Sequence, residues 1–209
     1  HLYLSNLISR HDFVGLQETH GTPGKARAFS IREDSQTFWS HWDQRSSGVG
    51  LLVTNSFLSL FSSRPPVWEE VVKGRIGRLK LRGEAGNLDI WVCYLSAKSE
   101  LEREAHMLAI ASRIIPAEAA LSIIMGDFNL TVSNEDRWLK ATAEYSSESH
   151  PRCRAVLQER WKTASNLQEI FQDEHTCESG LVLSRIDRAY CNQRSSFRLD
   201  MHVGCTALA

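Results

Sequence analysis

Leu121-Ser122-Ile123-Ile124-Met125-Gly126-Asp127-Phe128-Asn129 is a short apolar run that passes through one glycine into a carboxylate and an amide. Its length and apolar content predict a buried strand. Strand alternation sends Asp127 and Asn129 to one side and Phe128 to the other, into a core. A carboxylate beside an amide at a strand end suits phosphoester chemistry. The carboxylate can take a proton from water or hold a cation, and the amide can donate a hydrogen bond to a phosphate oxygen. The competing reading is a polar turn that closes a strand.

Working outward, three more strands end in groups of the same kind. Residues Asp12 to Gln17 read as a buried strand that runs into Glu18, within Leu16-Gln17-Glu18-Thr19-His20. Glu18 is an oxygen ligand of the sort Mg²⁺ takes, since that ion binds one or two carboxylates and keeps several waters. A solvated surface charge is the alternative. In Val92-Cys93-Tyr94-Leu95, Tyr94 closes an apolar strand and carries its hydroxyl to a sheet edge; a core tyrosine with a satisfied hydroxyl is the alternative. In Leu183-Ser184-Arg185-Ile186-Asp187, alternation puts Ile186 and Asp187 on opposite faces. An Asp within an apolar strand is costly to bury alone. A salt bridge to Arg185 or Arg188 is the alternative.

The elements between these points are mostly strands. They are expected around Thr37–Trp42, Gly48–Thr54, Val67–Val72, Ile76–Leu81, Leu88–Leu95, Leu183–Cys191 and Phe197–Val203, with a turn from Gly83 to Asn87. Residues 1–11 suggest a weak helix, and Gly21 to Gly24 a loop. The clearest helix starts at Ser99, a cap with Glu102 in the capping-box position. Its apolar stripe is read as Leu101, Ala105, Leu108, Ala109 and Ile115, and Pro116 is read as its stop. Leu130 to His150 reads as a polar, irregular surface arm. Residues 152–171 read as one or two helices carrying Val156, Leu157, Trp161, Leu167, Ile170 and Phe171. Strands with helices between some of them predict two packed sheets covered by helices, in one domain over residues 1–209.

Composition excludes several classes. The chain has 209 residues, 42% hydrophobic and 23% charged, which suits an ordinary globular domain. No stretch approaches the ~20 apolar residues of a membrane helix, and no signal-peptide pattern opens the sequence. A net charge of -1 excludes a uniformly basic nucleic-acid binder but not a local phosphate-binding patch. Cys93, Cys153, Cys177, Cys191 and Cys205 are scattered and never spaced as C-x-x-C. That argues against a zinc site or a disulfide framework and for reduced thiols in an intracellular setting. Asn129-Leu130-Thr131 matches a glycosylation sequon, but a glycan there would block the strand end.

Taken together and in order, the four strand ends resemble the endonuclease/exonuclease/phosphatase family, the deoxyribonuclease-I-like enzymes. The Gln-Glu-Thr-His wording at 17–20, Asp136-Arg137 and Ser184-Arg185-Ile186-Asp187 are most similar to the apurinic-type endonuclease domains of non-long-terminal-repeat, LINE-type retrotransposons. The resemblance implies a two-sheet α/β sandwich with outer helices and a metal-dependent phosphodiester hydrolase that nicks DNA. It implies Glu18 and Asp127 at Mg²⁺ or Mn²⁺, and Tyr94, Asp127, Asn129 and Asp187 as catalytic groups. Arg137, Ser184 and Arg185 are implied as DNA contacts. Asp127 would activate water, Asn129 would bond the phosphate, Tyr94 would support transition-state charge, and Asp187 would orient a histidine.

The family's opening Asn strand and closing Ser-Asp-His do not occur in these 209 residues. The expectation is therefore a domain incomplete at both ends, without its first and last strands and impaired in catalysis. His202 has none of that motif around it. The expected partner is DNA, with no membrane. The expected state is a monomer, or a segment of a longer polyprotein with a reverse transcriptase, in the nucleus. Two other readings stay open: a phosphoesterase acting on inositol phosphates or phospholipids, and a catalytically dead nucleic-acid-binding remnant.

Overall fold

The computed structural model describes residues 6–20, 34–41, 47–84, 86–146 and 150–192. Trp42, Gly21 to Gly24, the strand expected at Phe197–Val203 and His202 lie outside them. The chain forms two compact units, His1–Tyr94 with Ile115–Gly126, and Leu95–Ile114 with Asp127–Ala209.

In the first unit, β1 (Phe13–Leu16), β2 (Ser35–Ser40) and β3 (Val49–Thr54) form an antiparallel sheet in the order β1-β3-β2. The central strand has no polar side chain before its last residue and is buried from Val49 to Val53. Thr54 then ends the strand and caps a short helix, α1 (Asn55–Ser59), its hydroxyl accepting from the Phe57 amide at 3.3 Å. The sequence reading missed this helix. It presents Phe57 to Phe13 and Phe61, with ring centroids 5.6 and 5.4 Å away.

A second run of strands comprises β4 (Val67–Val72), β5 (Ile76–Gly83), β6 (Gly86–Tyr94) and β7 (Leu121–Asp127), side by side in that order from the edge. The expected turn after Gly83 is a hairpin that pairs Gly83 with Gly86. From Leu88 onward β6 is buried on both faces, so Asp89 enters the interior with it. Arg82 holds its carboxylate at 2.7 Å, and Arg78 pairs with it while lying over the Trp91 ring at 4.7 Å.

In the second unit, α2 (Glu100–Ala111) is capped by Ser99 as expected, the hydroxyl accepting from the Glu102 amide at 3.2 Å. The expected stripe is wrong. Leu101 and Leu108 are 63% and 40% exposed, while Arg103, Met107 and Ile110 are buried. The helix closes at Ala111, so Ile115 is not on it and Pro116 does not stop it. Polar anchors decide which face turns inward. The Arg103 guanidinium donates to the Ser96 carbonyl at 2.7 Å, and the Trp161 indole donates to the Met107 carbonyl at 3.1 Å.

The arm after Leu130 is not irregular. A 3-10 turn (Asn134–Asp136) leads into β8 (Arg137–Leu139) and β9 (Glu144–Tyr145). Helix α3 (Pro151–Val156) continues as a π-helix (Leu157–Ala164) and stops before β10 (Gln168–Ile170). Leu167, Ile170 and Phe171 are thus not helical, because Asn166 at φ +51° turns the chain. The single strand expected over Leu183–Cys191 is two, β12 (Val182–Ser184) and β13 (Asp187–Cys191), broken at Arg185 and Ile186. With β11 (Cys177–Ser179), the unit holds a sheet in the order β11-β12-β8-β9 and an antiparallel β10–β13 pair. Phe128, Trp161 and Tyr190 form its aromatic core, with edge-on ring contacts at 5.1 to 5.7 Å.

Asp136 explains the strand break. Its carboxylate is fully buried and takes Arg185 Nε at 3.0 Å and Nη2 at 2.5 Å, together with Arg188 and the amides of Val132 and Ser133. The Asp136 carbonyl accepts the Arg185 amide at 2.8 Å. The chain must leave the sheet at Arg185 for its side chain to reach back. Among the described residues no helix is long and apolar enough to cross a membrane.

Burial alone would raise the Asp136 carboxyl, but the Ser133 amide, Arg188, the Val132 amide and Arg185 outweigh it and hold it below the usual carboxylate range. A carboxyl lowered by folding stabilises the fold above its unfolded pKa. That stability is lost as pH falls through the folded value. Asp136→Ala leaves two buried guanidinium groups without their shared anion. It should cost about 3–5 kcal/mol, read as a shifted urea midpoint. It should also flatten the acid limb of stability against pH. An unchanged midpoint would remove Asp136 from this role.

Candidate active site

Glu18 and Tyr94 belong to the first unit; Asp127, Asn129 and Asp187 belong to the second. In the first unit, β1 ends at Leu16, and Glu18 lies two residues beyond it in the left-handed region at φ +49°. The Thr19 amide donates to the Gly48 carbonyl at 3.2 Å and holds this corner. Gly48 itself stands at φ +127°, where a Cβ would overlap the Thr19 hydroxyl. The exposed Glu18 therefore projects from a fixed corner. The Tyr94 hydroxyl, at the end of β6, donates to Glu18 Oε1. The two residues are 76 apart in sequence, so the sheet brings them together. Oε2 of Glu18 carries no hydrogen bond among the described residues. The Arg75 guanidinium lies over the Tyr94 ring, 4.6 Å from its centroid. Arg75 was not singled out in the sequence, where it is one arginine between two glycines.

In the second unit, Asp127 ends β7 and Asn129 stands past the strand, at φ +46°. Alternation therefore does not put the two side chains on one side. A turn closed by the carboxylate does so: Asp127 Oδ1 accepts the Asn129 amide at 2.7 Å. Asn129 Nδ2 then donates to Asp127 Oδ2 and to the Leu95 carbonyl, both at 3.0 Å. Two acceptors face that nitrogen, which fixes the orientation of the amide. Its donors are used within the protein, so Asn129 orients Asp127. The phosphate contact implied for Asn129 by the resemblance would require it to exchange one of these bonds. A glycan on Nδ2 would break them. Phe128 is fully buried, as read from the sequence.

The Phe128 amide donates to the Ile186 carbonyl at 2.9 Å, so Asp127 and Asp187 each adjoin one residue of this bond. Asp187 is half-buried and starts β13. The Thr176 hydroxyl accepts from the amides of Ile186 and Asp187 at 3.2 and 3.1 Å, stitching the strand break beside it. No sequence signal marked Thr176. The alternative reading of Asp187, an ion pair with Arg185 or Arg188, gives way to the pairing of both arginines with Asp136.

The three implied DNA contacts separate. Arg185 is 4% exposed, with its guanidinium given to Asp136, to the Gln172 carbonyl at 2.6 Å and to the Phe171 ring at 4.1 Å. A DNA-contact role for Arg185 is therefore corrected to a structural one. Arg137 and Ser184 are half-buried cross-strand partners on β8 and β12, sharing one face of that sheet. Among the described residues, no group of three or more His, Cys, Asp or Glu side chains could hold a metal. Mg²⁺ does not need one, since one or two carboxylates with waters and substrate phosphates suffice. The hard oxygens of Glu18, exposed and with Oε2 uncommitted, fit such an ion.

Residues 1–206 match the Endonuclease/Exonuclease/phosphatase family. The chain belongs to that family. No curated protein sequence matches. Among solved structures, the endonuclease domain of TRAS1, a telomere-specific non-LTR retrotransposon, is similar at 13% identity and a TM-score of 0.61, covering 92% of this chain and 78% of that one. An AP endonuclease from Archaeoglobus fulgidus is similar at 14% identity and 0.65, covering 91% and 79%. D. rerio TDP2 complexed with single strand DNA product is similar at 15% identity and 0.62, covering 95% and 77%. These likenesses show the fold, the expected deoxyribonuclease-I-like α/β sandwich.

Gly126, between the apolar run and Asp127, has φ +146°, and a Cβ there would overlap the Cys93 carbonyl oxygen. Gly126→Ala should therefore cost at least about 2 kcal/mol in chemical denaturation. A wild-type midpoint for this variant would show that β6 and β7 are not packed so closely.

Proposed function

We propose that this chain is a metal-dependent phosphodiester hydrolase acting on DNA, a nicking endonuclease of the retrotransposon type. The observation that carries the reading is the Tyr94 hydroxyl bound to Glu18 beside a ring-stacked arginine, the arrangement that the family resemblance needs at its metal end. The family match over residues 1–206 supports one functional domain built from both units.

Glu18 would hold Mg²⁺ or Mn²⁺, and the ion would neutralise charge on the scissile phosphate. Tyr94 keeps the Glu18 carboxylate in place and offers a phenol to developing negative charge. Asp127 is the group that takes the proton of the attacking water. Asn129 presents it, and the Leu95 carbonyl fixes Asn129 in turn. Asp187 stands one residue from the bond that ties its strand to Phe128 and would orient a proton-carrying partner. Arg137 and Ser184 provide the DNA-facing row on their sheet. The titled nucleic-acid enzymes among the similar structures support DNA over an inositol phosphate.

Nicking of supercoiled plasmid with and without Mg²⁺ tests the reading. Asp127→Ala should lower the rate by about 10² to 10⁴, the range for loss of a general base. Glu18→Gln should raise the metal concentration needed for half-maximal rate. Asn129→Ala should lower kcat more than it raises KM, because it loosens Asp127 without touching bound DNA. Turnover of a phosphoinositide with no plasmid nicking would move the chain to the other branch of its family. Metal-independent nicking that survives Asp127→Ala would sink the mechanism.

A further inference from the structure

We propose that Arg75 is the phosphate anchor of this site, a residue that binds a backbone phosphate of the substrate and sets it against Glu18 and Tyr94. The inference rests on the function proposed above and adds a binding group to it. Glu18 is an anion at the place where a second anion must arrive, and Tyr94 brings no charge to offset it. A cation must stand nearby for a phosphodiester to settle there.

Arg75 is placed for that task by its backbone. It lies in the tight turn between β4 and β5, where its amide donates to the Val72 carbonyl at 2.9 Å. Gly74, at φ +66°, makes the turn, and its carbonyl accepts the Gly48 amide at 2.9 Å. The Arg75 carbonyl accepts the Tyr94 amide at 2.8 Å. Three backbone bonds thus lock the residue to the ends of the strands that carry the site.

The side chain is used on one face only. Its guanidinium lies over the Tyr94 ring, which holds it without consuming the N–H groups in its plane. Arg75 is half-exposed, and no carboxylate among the described residues pairs with it. The other arginines discussed differ: Arg78, Arg103, Arg185 and Arg188 are buried and bonded to carboxylates or carbonyls. A planar fork with its edge uncommitted is the donor set that grips two phosphate oxygens at once.

Binding measured without turnover separates this role from the rest. In EDTA, a labelled duplex oligonucleotide is titrated by fluorescence anisotropy across a range of salt, with inositol hexakisphosphate as competitor. The wild-type chain, Arg75→Gln, Arg75→Lys and Tyr94→Phe are compared, each checked for fold by circular dichroism. Arg75→Gln should weaken binding roughly tenfold at low salt. It should also lower the slope of log affinity against log salt by about one. Arg75→Lys should keep the slope and lose part of the affinity, because it keeps the charge without the fork. Tyr94→Phe keeps the ring and should keep the slope. Stronger binding of inositol hexakisphosphate than of duplex, equally sensitive to Arg75, would keep the anchor and change the source of the phosphate. An Arg75→Gln variant with wild-type affinity and slope would overturn the proposal and leave the hydrolase reading intact. So would an equal loss at every salt concentration, the mark of a purely structural role. A wild-type chain that binds neither ligand would overturn both.

Discussion

One buried carboxylate organises the second unit. Asp136 has no exposure and is met by two guanidinium groups and two backbone amides. A lone carboxylate could not stay ionised in that position. Its partners come from a loop directly after the Asp127–Asn129 turn and from the chain just before β13. The pairing therefore fixes where β12 must end and where Asp187 must begin. Arg188 extends the network to Glu169 on β10 and to the Leu130 carbonyl at 3.3 Å. The functional strand end and its structural support are four residues apart along β13 and its approach, which makes the geometry of one depend on the other.

The chemistry in both units sits on strained corners. Glu18 and Asn129 are non-glycine residues with positive φ, a conformation that costs energy unless the surroundings impose it. Each is held by bonds from a partner distant in sequence: Thr19 to Gly48, and Asn129 to Leu95. A straight strand would have carried these side chains along the sheet. The turn instead lifts each one off the strand and points it from a fixed backbone. Glycines at 48 and 126 are required next to these corners because neighbouring groups leave no room for a Cβ.

Most strands were legible because their apolar residues are consecutive and bounded by polar or glycine breaks, as at Val49–Thr54 and Leu121–Asp127. Glu18, Tyr94 and Asp127 were legible for the same reason, as polar groups where such runs end. What failed has a common cause. The face of α2 was misread because a buried arginine outranked leucines, which needs knowledge of the carbonyl it reaches. The break at Arg185 was invisible because its partner, Asp136, lies 49 residues away. Arg185 itself was read as a DNA contact from the resemblance, whereas its burial gives it to Asp136. Asn129 was assigned to a phosphate through strand alternation, yet the chain has already left the strand there. Local pattern carries the elements; long-range ion pairs and turns decide where they stop.

The charge of the chain now has a different meaning. A balance of -1 over 24 basic and 25 acidic residues gives no general attraction for a polyanion. Several of the basic residues are interior fittings: Arg78 on Asp89, Arg103 on a carbonyl, Arg185 and Arg188 on Asp136. Counting basic residues therefore overstates what the surface offers to phosphate. The quantity that matters is the number of guanidinium groups whose N–H edges are not already bonded within the fold. Arg75 is distinguished by that measure, not by its place in any charge run. A site built in this way binds phosphate through a few placed donors, so geometry at the strand ends, more than net charge, governs what it holds.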